Sequence, residues 1–164
     1  MAPYNLVIID MQTHFTAAFH EPTVAKIAKE IRKAKRVGAA IIVVELVNCG
    51  PTTPEIDSII GSYKKTVFVE KTDTGGGSEI SEAVRNSNFL NRTKFKITGV
   101  YTDVCVSDTV NQLTQVEDLE VEVIAEGCWA GNIPAYPYNP RMYTDGEYDY
   151  FKKIRPRENV SIVF

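Results

Sequence analysis

The stretch FKITGVYTDVCVSDTV, Phe95–Val110, contains a strand, a turn and the start of a helix in direct succession. Its first part, Phe95–Val100, is a short apolar run, which is typical of a strand buried on both faces of a sheet. The segment Asp103–Gln115 is predicted to be a helix, because apolar residues recur on one side of it, namely Val106, Val110 and Leu113. A strand that leads into a helix is the repeating unit of α/β folds.

The same alternation continues on both sides of this stretch. Strands are predicted at Asn5–Asp10, Ala39–Val47, Thr66–Lys71 and Glu120–Glu126 and in the C-terminal NVSIVF, and helices at Glu21–Val37 and Ser78–Asn88. This order predicts an α/β fold with a doubly wound, mainly parallel sheet between two helical layers, which is a Rossmann-like three-layer α/β/α arrangement. The chain has 164 residues, so we expect a single domain over residues 1–164.

Composition and charge limit the partners that are expected. The net charge at pH 7 is −3 and basic residues form no run, so neither nucleic acid nor an anionic membrane is expected as a partner. No apolar stretch has the length needed to span a bilayer. The three cysteines, Cys49, Cys105 and Cys128, are widely spaced and form no CxxC pair. This pattern predicts reduced thiols in a cytoplasmic protein rather than a disulfide framework or a zinc site.

Three chemically active side chains follow predicted strands, at the sheet edge where α/β folds place their functional groups. Asp10 and Lys71 end two of the strands, and Cys105 follows a third near the start of a helix. Helix dipoles stabilise a thiolate at that position, so we expect Cys105 to be a nucleophile with Asp10 as base and Lys71 as nearby cation. Backbone N–H groups around Tyr101 and Cys105 are expected to stabilise an oxyanion. On these grounds alone, Cys105 as a buried packing residue stays an open alternative.

The residues resemble the isochorismatase-like cysteine hydrolases. The resemblance rests on VIIDMQTHF (Val7–Phe15), VFVEKTDTGGGS (residues 67–78), ITGVYTDVCVSDTV (Ile97–Val110) and VEVIAEGCWAG (residues 121–131). It implies a catalytic triad of Asp10, Lys71 and Cys105, which hydrolyses a small amide, carbamoyl or related C–N substrate through a thioester. It also implies a cis peptide bond at Val100–Tyr101, oxyanion donors at the N–H groups of Tyr101 and Cys105, no cofactor and a homo-oligomer.

Other residues are assigned to the substrate pocket or depart from the family pattern. Phe15, His14 and Trp129 are expected to line the pocket, and His14 stands where the family commonly has Asp or Asn. The irregular segment Trp129–Tyr143 is predicted to form a rim or lid over it. Nicotinamidases in the family bind a metal through histidines, whereas this chain has no histidine after His20, so no metal is expected.

Two further interpretations stay open at this stage. The glycines of TDTGGGS, which precede a predicted helix, are compatible with a phosphate-binding loop in a Rossmann-like nucleotide-binding protein. A non-catalytic binding protein built on the hydrolase fold is the other alternative. The preferred interpretation is a cysteine-dependent hydrolase whose partner is a small-molecule substrate.

Overall fold

The computed structural model of the chain describes residues 2–115, 119–131, 151 and 153–164. Within these residues, strands and helices alternate along the chain as far as the fifth strand, as the sequence predicted. The strands are β1 (Asn5–Ile9), β2 (Ala40–Leu46), β3 (Thr66–Lys71), β4 (Lys94–Val100), β5 (Glu120–Trp129) and β6 (Val160–Val163), and the α-helices are α1 (Glu21–Val37), α2 (Pro54–Ile60), α3 (Gly77–Asn86) and α4 (Ser107–Leu113).

The six strands form one sheet in the order β3-β2-β1-β4-β5-β6, and every neighbouring pair is parallel. The chain therefore winds outward from β1 in one direction and outward from β4 in the other. The order reverses between β1 and β4, and in such sheets ligands bind at the carboxyl ends of the two strands that flank this switch point. The prediction of a doubly wound, mainly parallel sheet in a single domain is confirmed.

Helices cover both faces of the sheet, which produces two apolar cores. Along β1, Leu6 and Ile8 belong to the core that includes residues of α1 and α2, whereas Val7 and Ile9 belong to the core that includes residues of α3 and α4. Successive side chains of a strand point to opposite faces, so a strand between two helical layers must be apolar throughout. This explains why the continuous apolar run of β1 is a strand.

The structure differs from the sequence prediction at α2, at the end of β5 and at the start of α4, which begins at Ser107 rather than Asp103. The helix α2 (Pro54–Ile60) was not predicted, because it is short and buries only Ile56 and Ile60. The strand β5 continues to Trp129, beyond the predicted end, because its register against β4 shifts between Ile97 and Gly99 and accommodates extra residues. Trp129 is therefore a strand residue rather than the start of an irregular segment. Residues 132–143 of the predicted lid lie outside the described residues.

The described part of the chain contains no helix with the length and apolar character needed to cross a membrane.

Candidate active site

Asp10 follows β1 in a backbone conformation that is uncommon for a residue with a side chain. Its φ is +52°, and its N–H donates to the carbonyl of Val44 on β2 at 2.9 Å. Aspartate is one of the few residues other than glycine that adopt positive φ with some frequency, and such conformations cluster at functional sites. The side chain is fully buried at the switch point of the sheet.

Gln12 fixes the segment that follows Asp10. Its side-chain amide donates to the carbonyls of Leu46 at 2.9 Å and Gly50 at 2.6 Å, and its oxygen accepts the N–H of Leu46 at 2.7 Å. These three hydrogen bonds tie the segment after β1 to the loop after β2. The glutamine of the Asp-Met-Gln motif is therefore a structural residue that holds the base in place.

Lys71 ends β3 and reaches Asp10 across the end of β2. Its Nζ lies 2.9 Å from Oδ2 of Asp10, and both side chains are 0% exposed. The ammonium also donates to the carbonyls of Asp73 at 3.0 Å and Thr74 at 2.8 Å. A buried charge is tolerated when it is paired and hydrogen-bonded, and Lys71 meets both conditions.

Cys105 lies on a π-helical turn, Thr102–Val106, rather than in the α-helix that the sequence predicted from Asp103. The carbonyl of Tyr101 accepts two N–H groups of this turn, and the hydroxyl of Ser107 donates to the carbonyl of Thr102 at 2.6 Å. Single π-helical turns are frequent at functional sites. The turn presents Cys105 at the start of α4 with 6% of its surface exposed.

Gly99 lets the strand before this turn approach β1 closely. Its φ is +127°, and a Cβ atom there would lie 2.1 Å from the carbonyl oxygen of Ile9. Only glycine fits this position, because the backbone of β1 cannot move away without breaking the sheet. The Val100–Tyr101 peptide bond that follows is cis, which is the conformation that the family resemblance implied.

The structure brings Asp10, Lys71 and Cys105 together, and this environment shifts the pKa values of Asp10 and Cys105. Burial raises the pKa of Asp10, although a hydrogen bond with Cys105 and the charge of Lys71 act in the opposite direction. Burial also raises the pKa of Cys105 to about 12, and the adjacent carboxylate adds to this effect, whereas Lys71 and a backbone hydrogen bond from Tyr101 oppose it. Burial therefore favours the neutral thiol, whereas the position of Cys105 near a helix start predicted a stabilised thiolate.

The carboxylate of Asp10 has unused capacity to accept a proton. Its Oδ2 lies 2.9 Å from the Lys71 ammonium, and the carboxylate also accepts a hydrogen bond from the thiol of Cys105. A buried carboxylate whose pKa is raised and which already contacts the thiol is placed to receive the thiol proton. The site thus combines a neutral thiol with a carboxylate that can take its proton.

Two of the three residues predicted for the substrate pocket lie next to the cis peptide. The ring of Phe15 meets the ring of Tyr101 edge to face, with centroids 5.7 Å apart. Trp129 pairs with Val100 in the sheet and stacks on the ring of His20 with centroids 3.7 Å apart. The side chains of Phe15, Tyr101 and Trp129 lie at the carboxyl ends of β4 and β5 and pack against the core formed with α1 and α2.

The third predicted pocket residue, His14, is exposed. Its backbone N–H donates to the carbonyl of Cys49 at 3.2 Å, and its ring lies beside Gly50. Of the other two thiols, Cys128 is buried in the core, as the sequence predicted, whereas Cys49 is only partly buried. The structure therefore anchors the backbone of His14 and leaves its imidazole at the surface.

The residues present do not fit the metal site that the family resemblance associates with nicotinamidases. No group of three or more His, Cys, Asp or Glu side chains converges within the described part of the chain. At the end of β2, the carboxylate of Glu45 accepts the N–H of Thr52 at 2.7 Å and its hydroxyl at 2.6 Å. This acidic side chain is engaged in holding the loop after β2.

The glycine-rich loop, residues 72–76, is bound to α4 rather than open to a phosphate. The N–H of Gly76 donates to the hydroxyl of Thr109 at 3.0 Å, and the N–H of Gly77, the first residue of α3, donates to the side-chain oxygen of Gln112 at 2.8 Å. The N–H of Thr74 donates to the carboxylate of Asp73. These donors are already used, so the loop does not offer the row of N–H groups that a phosphate cradle needs.

Sequence reasoning missed the residues of α4 that hold this loop. Thr109 follows Cys105 by four positions, so the two lie on the same side of a helix, and Gln112 lies one further turn along. This spacing is the only sequence signal that could have identified Thr109 and Gln112 as residues near the site. Their partners are 33 and 35 residues away in the chain, and only the fold brings them into contact.

Comparisons with solved structures identify related folds. The nicotinamidase SaPncA from Staphylococcus aureus is 19% identical, with a TM-score of 0.65 over 80% of this chain and 87% of that chain. The MAR1 ribonuclease from Caenorhabditis elegans is 19% identical, with a TM-score of 0.65 over 78% of this chain and 66% of that chain. The YcaC gene product from Escherichia coli, an octameric hydrolase of unknown specificity, is 14% identical, with a TM-score of 0.67 over 98% of this chain and 74% of that chain.

Among curated protein sequences, none matches this chain at significant similarity. A family model, by contrast, matches residues 4–143, which include the candidate triad and the cis peptide. The matched range covers most of the chain, and the doubly wound sheet agrees with the structures to which it is similar. The chain therefore belongs to the isochorismatase domain family.

Proposed function

We propose that this protein is a cysteine-dependent hydrolase of a small amide, carbamoyl or related C–N substrate. The observation that carries the proposal is the convergence of three buried side chains from separate strand ends. The Lys71 ammonium lies 2.9 Å from the Asp10 carboxylate, which in turn shares a hydrogen bond with the Cys105 thiol. In this arrangement Cys105 is the nucleophile, Asp10 is the base and Lys71 holds the carboxylate and balances its charge.

In the first half of the reaction, the sulfur of Cys105 attacks the substrate carbonyl carbon while Asp10 takes the thiol proton. The carbonyl π electrons move to oxygen, and the N–H groups of Tyr101 and Cys105 stabilise the oxyanion. The tetrahedral intermediate then collapses, the C–N bond breaks, and Asp10 delivers the proton to the leaving nitrogen. The products of this half are the free amine or ammonia and a thioester on Cys105.

In the second half, water attacks the thioester carbonyl and Asp10 accepts one proton from the water. The C–S bond breaks as the second tetrahedral intermediate collapses, and the proton returns from Asp10 to the sulfur. The acid is released and the neutral thiol of Cys105 is restored. Burial supports this cycle, because a carboxyl with a raised pKa both accepts a proton from a thiol and holds it for a leaving group.

A C–N substrate is favoured because its leaving nitrogen needs a proton, and Asp10 carries one after the attack. We also propose that the protein is a cytoplasmic homo-oligomer and that residues 1–164 act as one hydrolase domain. The octameric state of the YcaC gene product supports the oligomer, and the name of the staphylococcal relative supports an amide substrate. Phe15 and Trp129 are proposed to contact the substrate, with His14 at the outer edge.

A screen of small amides, carbamoyl compounds and ureides, read by ammonia release, tests the proposal. Cys105→Ala should abolish release and keep the fold. The matched control is Cys128→Ala, which alters a second buried thiol in the same core and should keep turnover. Release that survives in Cys105→Ala would remove the nucleophile from the account. Ligand binding without turnover would instead support the non-catalytic alternative.

A further inference from the structure

The helix that follows the nucleophile also holds the loop that surrounds the lysine. Thr109 is fully buried in α4, and its hydroxyl accepts the N–H of Gly76 at 3.0 Å. One turn later, the side-chain oxygen of Gln112 accepts the N–H of Gly77 at 2.8 Å. Glycine at position 77 permits this close approach of the loop to α4, because a Cβ on Gly77 would lie 2.5 Å from the Cβ of Gln112.

The same loop fixes the ammonium of Lys71. The carbonyls of Asp73 and Thr74 accept hydrogen bonds from Nζ at 3.0 and 2.8 Å, which leaves the ammonium directed at Asp10. Gly76 packs against the stem of the same lysine, because a Cβ there would lie 3.1 Å from its Cδ. A displacement of the loop would therefore move the lysine.

We infer that Thr109 is a positioning residue for the proposed reaction and acts through the glycine-rich loop on Lys71. One helix thereby controls two members of the triad, because α4 begins directly after the turn that carries Cys105. The inference rests on the proposed function. The task that it assigns to Thr109 is to position Lys71 through the loop, without contact with the substrate. The hydroxyl acts as an acceptor, so a serine at position 109 should preserve the function of the threonine, whereas a valine should not.

The test uses 4-nitrophenyl acetate as an acylating probe and follows the first release of 4-nitrophenolate. Thr109→Val keeps the shape of the side chain and leaves the N–H of Gly76 without an acceptor. We expect a burst about tenfold slower than that of the wild type, with no loss of burst amplitude. The acid limb of its pH profile should move to higher pH, because Lys71 then lowers the pKa of Asp10 less effectively.

Three further variants separate positioning from general damage. Thr109→Ser should restore the wild-type rate and profile. Gln112→Met removes the second anchor and should shift the rate and the acid limb in the same direction. Thr114→Val is the matched control, because the hydroxyl of this buried threonine, directly after α4, donates to the nearby carbonyl of Asn111 rather than to the glycine-rich loop, and its burst should equal that of the wild type.

The outcomes separate this inference from the proposed function. A wild-type burst that Cys105→Ala does not remove would overturn the proposed function and the inference with it. A Cys105-dependent burst that is equal in Thr109→Val, Thr109→Ser and the wild type would overturn the inference alone. If Thr109→Val does not fold, Gln112→Met provides the test. A burst of Gln112→Met whose acid limb lies at the same pH as that of the wild type would also overturn the inference.

Discussion

The buried ion pair of Asp10 and Lys71 should show a strong energetic coupling. The two charges are 2.9 Å apart, and both side chains are 0% exposed. Removal of one partner leaves the other buried without its counter-charge, which typically costs about 3–5 kcal/mol of unfolding free energy. We therefore expect Asp10→Asn and Lys71→Met each to lower the unfolding free energy by about 3–5 kcal/mol at neutral pH.

The double variant Asp10→Asn/Lys71→Met should lose far less than the sum of the single losses. It contains no buried charge at this position, and neutral replacement of a buried pair is often tolerated. The expected coupling energy is about 3 kcal/mol, at the upper end for residues in contact. Denaturant unfolding of the four proteins measures it, provided that the denaturant dependence of the free energy is similar in all four.

A surface pair provides the matched control. Lys94 and Glu120 are 2.8 Å apart, but their side chains are 53% and 67% exposed. The corresponding cycle should yield a coupling below about 1 kcal/mol, because solvent screens exposed charges. Equal coupling in the two cycles would refute the argument that burial gives the Asp10–Lys71 pair its strength.

The stability of Lys71→Met should also depend on pH. Lys71 lowers the pKa of Asp10, so its removal raises a pKa that burial has already raised. A group with a raised pKa in the fold contributes stability that is present below its unfolded pKa, near 3.8, and is lost as the pH rises through the folded pKa. The deficit of Lys71→Met relative to the wild type should accordingly shrink as the pH is lowered towards 4. A deficit that grows on acidification would contradict this sign.

Two further substitutions test the geometry around the nucleophile. Gly99→Ala should cost about 3 kcal/mol or more in thermal unfolding experiments, because it combines a positive φ with a clash against β1. Gly38→Ala also has a positive φ, but its Cβ would meet only the flexible end of Lys65 at an ordinary contact distance of 3.4 Å, so it should cost about 1 kcal/mol. Similar losses in the two variants would remove the clash from the argument. Ser107→Ala removes a buried hydrogen bond to the π-helical turn and should cost about 1–2 kcal/mol, more than Ser81→Ala, which removes a bond of similar length on the less buried α3. A larger loss for Ser81→Ala would indicate that the turn does not depend on this bond.

The sequence predicts the approximate position of the site because parallel strands share an edge. Asp10, Lys71 and Cys105 each follow a strand, and a doubly wound sheet brings such ends together. The sequence pattern also identifies the apolar runs of the sheet, because strands buried on both faces contain few polar residues. The helix α2 is less evident, since one short turn with two buried residues carries little periodic signal.

The protonation state and the supports of the site depend on three-dimensional contacts. A cysteine near a helix start predicts a stabilised thiolate, whereas burial raises the pKa of Cys105, and burial is a property of the whole fold. The anchoring of the glycine-rich loop by Thr109 joins residues 33 positions apart. A glycine run by itself equally suits a phosphate loop, and only the occupied N–H groups separate the two interpretations.

The pH dependence of the 4-nitrophenyl acetate burst in the wild type and in Asp10→Asn tests the central claim most directly. If Asp10 takes the thiol proton, the burst rate of the wild type falls as the pH drops through the raised pKa of Asp10 and is constant above that pKa. The burst rate of Asp10→Asn should be about 100-fold lower or more near neutral pH and should rise steadily with pH. The variant Asp10→Asn/Lys71→Met, which lacks both the base and the cation that lowers the pKa of Cys105, should be no faster than Asp10→Asn. The alternative mechanism, in which Cys105 is already a thiolate and needs no base, predicts the opposite result. The Asp10 carboxylate raises the pKa of Cys105, so its removal would increase the thiolate fraction and make the burst faster. A burst in Asp10→Asn that equals or exceeds that of the wild type would contradict the account.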